Sequence, residues 1–249
     1  MLRTLGAAVR TLVLAPLFVG YTMIQSARVN RIGRGQGNTG RIDRLARDWA
    51  KRFIEVAPIT LTVEGLENVD PSQQYIVVSN HLSNFDIPVV VHALPIPTRF
   101  ISKQEVSKFP IFGEAAQVAG VVMVDRDAVR SNHEALNSAI RDSMALGHSI
   151  LLFAEGTRSR TGEMGKFQRG AARIALAMGV DILPIVITGT DRVNPPGSPI
   201  VYPGKATVRI LPPISLEEMR GQTVPAITDN LRRQIGVAYE EITDKAHQS

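Results

Sequence analysis

Two short runs constrain the fold of this chain more than anything else in it. Tyr75-Ile76-Val77-Val78 and Ile150-Leu151-Leu152-Phe153 are apolar throughout, with no alternation of apolar and polar side chains. A strand wetted on one face alternates, so a strand that does not must be covered on both faces. Runs rich in Ile, Val, Leu and Phe predict seven strands, at 59–63, 74–79, 98–101, 120–124, 149–153, 182–187 and 206–211. Helical stretches at 84–93, 128–146, 167–178 and 226–243 fall between many of them. The alternation predicts an α/β fold, a mixed and mostly parallel central sheet flanked by helices. Pro195-Pro196-Gly197 marks a loop, and Pro212-Pro213 ends the last strand.

The N-terminal part reads differently, and the expected division is an appendage over 1–56 and a body over 57–249. Thr11 to Ile24 is uncharged and mostly apolar, and Thr4 to Val9 extends it past Arg10. A helix over 4–24 is about 30 Å long, near the thickness of the hydrocarbon layer. Arg10, Pro16 and Gly20 interrupt it, so it reads as an anchor that either lies in one leaflet or crosses at a tilt. A cleaved signal peptide is the competing reading, but no clean small-residue cleavage site follows. Residues 28–41 form a connector too rich in glycine for a stable helix. Ile42, Leu45, Trp49, Phe53 and Val56 then recur at helical spacing, an apolar stripe that fits either a membrane interface or the surface of the body.

Charge follows the same division. Residues 1–56 hold nine arginines and Lys51 against Asp43, Asp48 and Glu55, a net +7 in a chain whose total is +5. A basic patch beside an apolar segment fits an anionic membrane surface, and no nucleic-acid module accompanies it. The chain has no cysteine, which excludes disulfides, thiolate metal sites and cysteine nucleophiles. The five histidines lack zinc-ligand spacing, so neither a metal nor a cofactor is expected.

The chemistry sits where the two buried strands end, the usual address of a site in an open α/β sheet. After the first comes Asn80-His81-Leu82-Ser83-Asn84-Phe85-Asp86, and after the second Ala154-Glu155-Gly156-Thr157-Arg158-Ser159. If 82–85 turn into a helix, Asp86 folds back onto His81, fixes its tautomer and makes it an oriented general base. Ser83 and Asn84 fit that turn and its helix cap. Ser83 lacks the Gly-x-Ser-x-Gly elbow, so direct transfer is preferred to a serine acyl-enzyme. Gly156 lets backbone N–H groups approach an anion, and Arg158 offers a planar fork for phosphate.

These strings resemble the glycerolipid acyltransferase family, whose best-known members acylate 1-acylglycerol-3-phosphate to phosphatidic acid. The N-H-x-x-x-x-D signature matches in full, and F-P-E-G-T-R-S matches except for Ala154 in place of proline. Phe100-Ile101-Ser102-Lys103-Gln104-Glu105, continuing through Phe109-Pro110-Ile111-Phe112-Gly113 to Arg126, and Ile182-Leu183-Pro184-Ile185-Val186 are weaker family blocks in the expected order. The resemblance covers roughly residues 60 to 215. It implies that His81 and Asp86 are catalytic, and that Glu155, Gly156, Thr157 and Arg158 bind the acceptor with Lys103 and Arg126. Glu155 would accept from an acceptor hydroxyl or hold Arg158 by an ion pair.

The expected donor is acyl-CoA or an acyl carrier protein, and the expected acceptor a lysophospholipid. Membrane lipids are the expected partners, nucleic acid is not, and the place is the cell membrane with the site facing the cytoplasm. Glycerol 3-phosphate, the opposite positional isomer, another lysolipid or a glycolipid stays open as acceptor. So does a non-catalytic lipid-binding role.

Overall fold

The computed structural model describes residues 2–33, 36–125, 133–159 and 163–248. Among them, the N-terminal helices α1 (Leu2–Ile32) and α2 (Thr39–Val56) precede a sheet of seven strands. The chain then runs β1 (Ile59–Glu64), β2 (Ile76–Ser79), α3 (Asp86–Ala93), β3 (Thr98–Lys103), α4 (Phe112–Val118) and β4 (Val122–Val124). It continues through α5 (His133–Ala145), β5 (Ser149–Phe153), α6 (Gly170–Met178), β6 (Ile182–Thr188) and α7 (Thr190–Val193). It ends with β7 (Gly204–Ile210), α8 (Leu216–Arg220) and α9 (Val224–Gln248).

The strand order is β1-β7-β6-β2-β5-β3-β4. β2, β3, β4, β5 and β6 run parallel, β7 is antiparallel to β6, and β1 follows β7, so the sheet is mixed and mostly parallel. Each expected strand forms, with ends within two residues of the expected ones. The helix expected over 128–146 is described from His133, and its first residues lie outside the described ones. The short helices α4, α7 and α8 had no counterpart in the sequence reading.

Burial explains the unbroken apolar runs. Ile76, Val78, Ile150, Ile182 and Val186 point into one core, closed by α5, α6, α8 and α9. Tyr75, Val77, Leu151, Leu183, Ile185 and Ile187 point into the other, closed by α2 and α3. Successive side chains of one strand thus meet different helices, as a doubly covered sheet requires.

The N-terminal segment departs from expectation. Arg10, Pro16 and Gly20 do not break α1, and the Gly/Arg connector begins only after Ile32. Packing overrides propensity here. Val29 is buried with Ile42 and Ala115, and Gln25 and Ser26 are buried beside it. Pro16, whose missing N–H would cost about 3 kcal/mol in a helix interior, sits on the exposed side. Of the two readings of the α2 stripe, packing inward is what forms. Trp49 donates to Thr22 Oγ1 at 3.1 Å, and Phe53 lies edge-on between Phe18 (4.6 Å) and Phe85 (4.5 Å).

A second tie is polar. Arg99 of β3 is buried and donates to the Asp43 carboxylate on α2, to Ala119 O and to Thr98 O. Buried His148 stands with Nε2 3.5 Å from Asp43 Oδ1.

Candidate active site

β2 delivers the chain to the site under tight control. The Asn80 side chain exchanges two hydrogen bonds of 2.9 Å with the backbone N–H and C=O of Ile187, locking the end of β2 to β6. His81 follows at once. Its Nδ1 lies 2.7 Å from Asp86 Oδ2, and the same oxygen accepts from Leu82 N (2.7 Å) and Ser83 N (2.9 Å). Asp86 Oδ1 accepts from Thr190 Oγ1 at 2.5 Å, and Asp86 has no exposed surface. The turn over 82–85 therefore forms around the carboxylate, which is also the first residue of α3. Ser83 braces the turn without capping α3, its Oγ accepting from Phe85 N at 3.3 Å and donating to Asn194 O at 3.1 Å. Asn84 makes no such cap and is exposed.

A carboxylate that accepts at Nδ1 requires the proton there, which leaves Nε2 with its lone pair for a substrate. The ring is stacked on Phe153, centroids 3.8 Å apart and planes 12° apart. That face stabilises an imidazolium when one forms.

β5 delivers the second cluster beside the first. Ala154 N donates to Ser79 O at 2.9 Å, a bond that proline at this place cannot make. Gly156 has φ +72°, a conformation in which a side chain is strained, and it turns Thr157 and Arg158 outward past the strand end. His81, Asn84, Lys103, Gly156, Thr157, Arg158, Pro196 and Gly197 line one cleft of roughly 980 Å³. Of the residues expected to bind substrate, the structure thus brings Lys103, Gly156, Thr157 and Arg158 to the histidine.

Glu155 is placed otherwise. It is buried, and its oxygens accept from His81 N (3.0 Å) and Gly165 N (2.8 Å). The expected ion pair with Arg158 does not form, because the carboxylate is committed to two backbone amides; Glu155 splints the histidine turn to the following loop. Arg126 lies outside the described residues.

A separate apolar groove of roughly 340 Å³ runs between α1, α2 and the body, walled by Leu14, Phe18, Phe53, Phe85 and Val201. Asn84 lines both this groove and the cleft, so the two spaces flank the histidine turn.

The family model described as Acyltransferase matches residues 60–188. Mouse 1-acyl-sn-glycerol-3-phosphate acyltransferase alpha is 31% identical over 186 residues, 74% of this chain and 65% of that protein. Chloroplastic 1-acyl-sn-glycerol-3-phosphate acyltransferase LPAT1 of Arabidopsis thaliana is 37% identical over 173 residues, 68% of this chain and 48% of that protein. The chain therefore spans less than two thirds of the length of either relative. The crystal structure of the 1-acyl-sn-glycerophosphate (LPA) acyltransferase PlsC from Thermotoga maritima superposes with a TM-score of 0.79 at 25% identity. That match covers 96% of this chain and 98% of the other. The fold is that of an acyltransferase, and the match over residues 60–188 shows that the chain belongs to the acyltransferase family.

Proposed function

We propose that this protein moves a fatty acyl group from an acyl thioester to the free hydroxyl of 1-acylglycerol-3-phosphate, giving phosphatidic acid. The observation that carries the reading is the Nδ1–Asp86 contact, which leaves His81 Nε2 at a cleft shared with Lys103 and Arg158. Nε2 takes the proton of the acceptor hydroxyl as its oxygen attacks the thioester carbonyl. The tetrahedral intermediate collapses, the C–S bond breaks, and the imidazolium returns the proton to the leaving thiolate. The transfer is direct, and Ser83, buried with its hydroxyl donating to Asn194 O, is not placed as a nucleophile. Proton transfer of this kind contributes roughly 10²–10⁴ in rate.

Arg158 and Lys103 supply the charge for the acceptor phosphate, with Gly156 and Thr157 shaping the turn. The acyl chain lies in the groove between α1 and the body, where each buried CH₂ contributes about 0.8 kcal/mol. The donor is acyl-CoA or an acyl carrier protein.

The membrane supplies the lipid acceptor. α1 is long and apolar enough to cross a bilayer by length and composition. Yet Thr11 bonds Val201 N near one end (3.0 Å) and Asn30 bonds Ile111 O near the other (3.1 Å), so the helix lies along the body. Leu5, Val9, Leu12, Val13, Leu17 and Ile24 stay exposed on its far side. That arrangement supports a monotopic helix resting in one leaflet, and the arginines around it favour the cytoplasmic face.

The test is transfer from radiolabelled palmitoyl- and oleoyl-CoA to glycerol 3-phosphate and both lysophosphatidic acid isomers, wild type beside His81→Ala. Label is expected in phosphatidic acid with wild type only. Transfer that survives the substitution, or that reaches none of these acceptors, would overturn the proposal.

A further inference from the structure

We propose that the turn Phe109-Pro110-Ile111 is a second membrane-insertion point, which seats the mouth of the cleft on an anionic lipid surface. The inference rests on the membrane reading of α1.

Phe109 is 60% exposed and Ile111 48%. Ile111 is also the one non-glycine residue with positive φ among those described, at φ 64° and ψ −52°. Phe112 N closes on Pro110 O at 2.6 Å, so Pro110, Ile111 and Phe112 make a γ-turn of the rare, strained hand. A β-branched residue is a poor choice there. Its side chain is not in the core, so packing does not offset the strain. Strain of this kind persists where the surroundings over-determine it, and it clusters at functional sites.

The surroundings do hold the turn. Gly113 backs onto the preceding helical turn so closely that a Cβ would stand 2.2 Å from Ser107 O. Asn30 Nδ2 donates to Ile111 O and to Glu114 Oε2, each at 3.1 Å. A rigid base thus presents two large apolar side chains to the outside.

Two features select a bilayer as the occupant. The first is attachment, since Asn30, which holds the turn, belongs to α1, the helix whose exposed apolar side runs from Leu5 to Ile24. The second is charge. Exposed Lys103, Lys108, Arg28 and Arg31, on the turn's own segment and on the helix that holds it, outnumber Glu105 and Glu114. Lys103 lines the cleft six residues before Phe109, so an inserted turn keeps the cleft at the lipid surface.

The chain has no cysteine, so one can be introduced at will. Ile111→Cys, Leu12→Cys on α1 and Val237→Cys on α9 would each carry a nitrobenzoxadiazole label, with Phe109→Cys in reserve should the first not fold. Added phosphatidylcholine–phosphatidylglycerol vesicles should shift the labels at 111 and 12 to the blue, with quenching by doxyl lipids, and leave that at 237 unchanged. The shift at 111 should weaken on pure phosphatidylcholine. If position 12 responds and 111 does not, this inference fails while the anchor reading stands; if neither responds, both fail. A blue shift at 111 without vesicles that grows with protein concentration assigns the patch to a second copy and overturns the proposal. Ile111→Gly should raise Tm by relieving the backbone, whereas a fall in Tm would mean that the side chain serves the fold.

Discussion

Asp86 holds four donors at once: His81 Nδ1, two backbone amides and the Thr190 hydroxyl. Thr190→Val removes one donor from a fully buried carboxylate, and hydrogen bonds to charged groups are worth about 1.5–3 kcal/mol. The unfolding free energy obtained from denaturant titration should fall by that amount, with Thr190→Ser restoring most of it. Arg158→Ala is expected to raise the acceptor KM with little change in kcat, because a phosphate contact binds ground and transition states alike. Steady-state kinetics at varied acceptor would check this, and an unchanged KM would remove Arg158 from the phosphate site. His81, Asp86 and the glycine turn are legible in the sequence because they sit just after unbroken apolar runs. Thr190 is not, since it lies 104 residues from Asp86 and only the strand order β6-β2 brings them together. The partners of Glu155 are illegible for a related reason, as they are backbone amides that carry no mark in a sequence.

At the scale of elements, the aromatic contacts of Phe53 join α2 to α1 and to the turn before α3, and the buried Arg99–Asp43 pair joins it to β3. Asp43→Ala leaves a buried guanidinium uncompensated, and breaking such a pair costs about 3–5 kcal/mol. The same cluster gives stability a pH dependence. Burial holds His148 below its ordinary value of 6.5, outweighing the attraction of Asp43. The unfolded chain therefore takes up this proton first, and stability falls as pH drops below 6.5 towards the folded value. Burial pushes Asp43 up, but His148 and Arg99 together hold it below its ordinary 3.8, so a second loss comes below that pH. Thermal unfolding from pH 8 to pH 5 should show Tm declining through the first window, and His148→Leu should flatten that slope. The strands are legible because each is a run of β-formers with a buried period. The end of α1 is misplaced by a few residues, because 28–32 contain no glycine and stay helical until Gly33, at φ +73°, ends the helix. α4 is only seven residues long, too short for a periodic signal.

For the whole molecule, α1 packs as part of the body's wall. A chain begun at Thr39 would bare the faces of Trp49, Phe53, Ile42 and Ala115 that Phe18 and Val29 cover. It should leave the membrane fraction yet bind ANS strongly, and lose transfer from long-chain donors more than from short ones. Equal loss at all chain lengths would separate α1 from the groove. The division expected near residue 56 is visible in charge and composition, but the mutual burial of the two parts is not, because contact across such distances leaves no local pattern.

One side of α1 closes the groove and the other is exposed and apolar. On the membrane reading, a single helix then separates a bound acyl chain from the chains of the bilayer. A lipid that slides round that helix never enters water, whereas exposing sixteen methylenes on the way would cost about 13 kcal/mol at 0.8 each. Turnover would then follow the mole fraction of substrate within the bilayer and not its bulk concentration, so that adding inert lipid slows the enzyme by dilution in two dimensions.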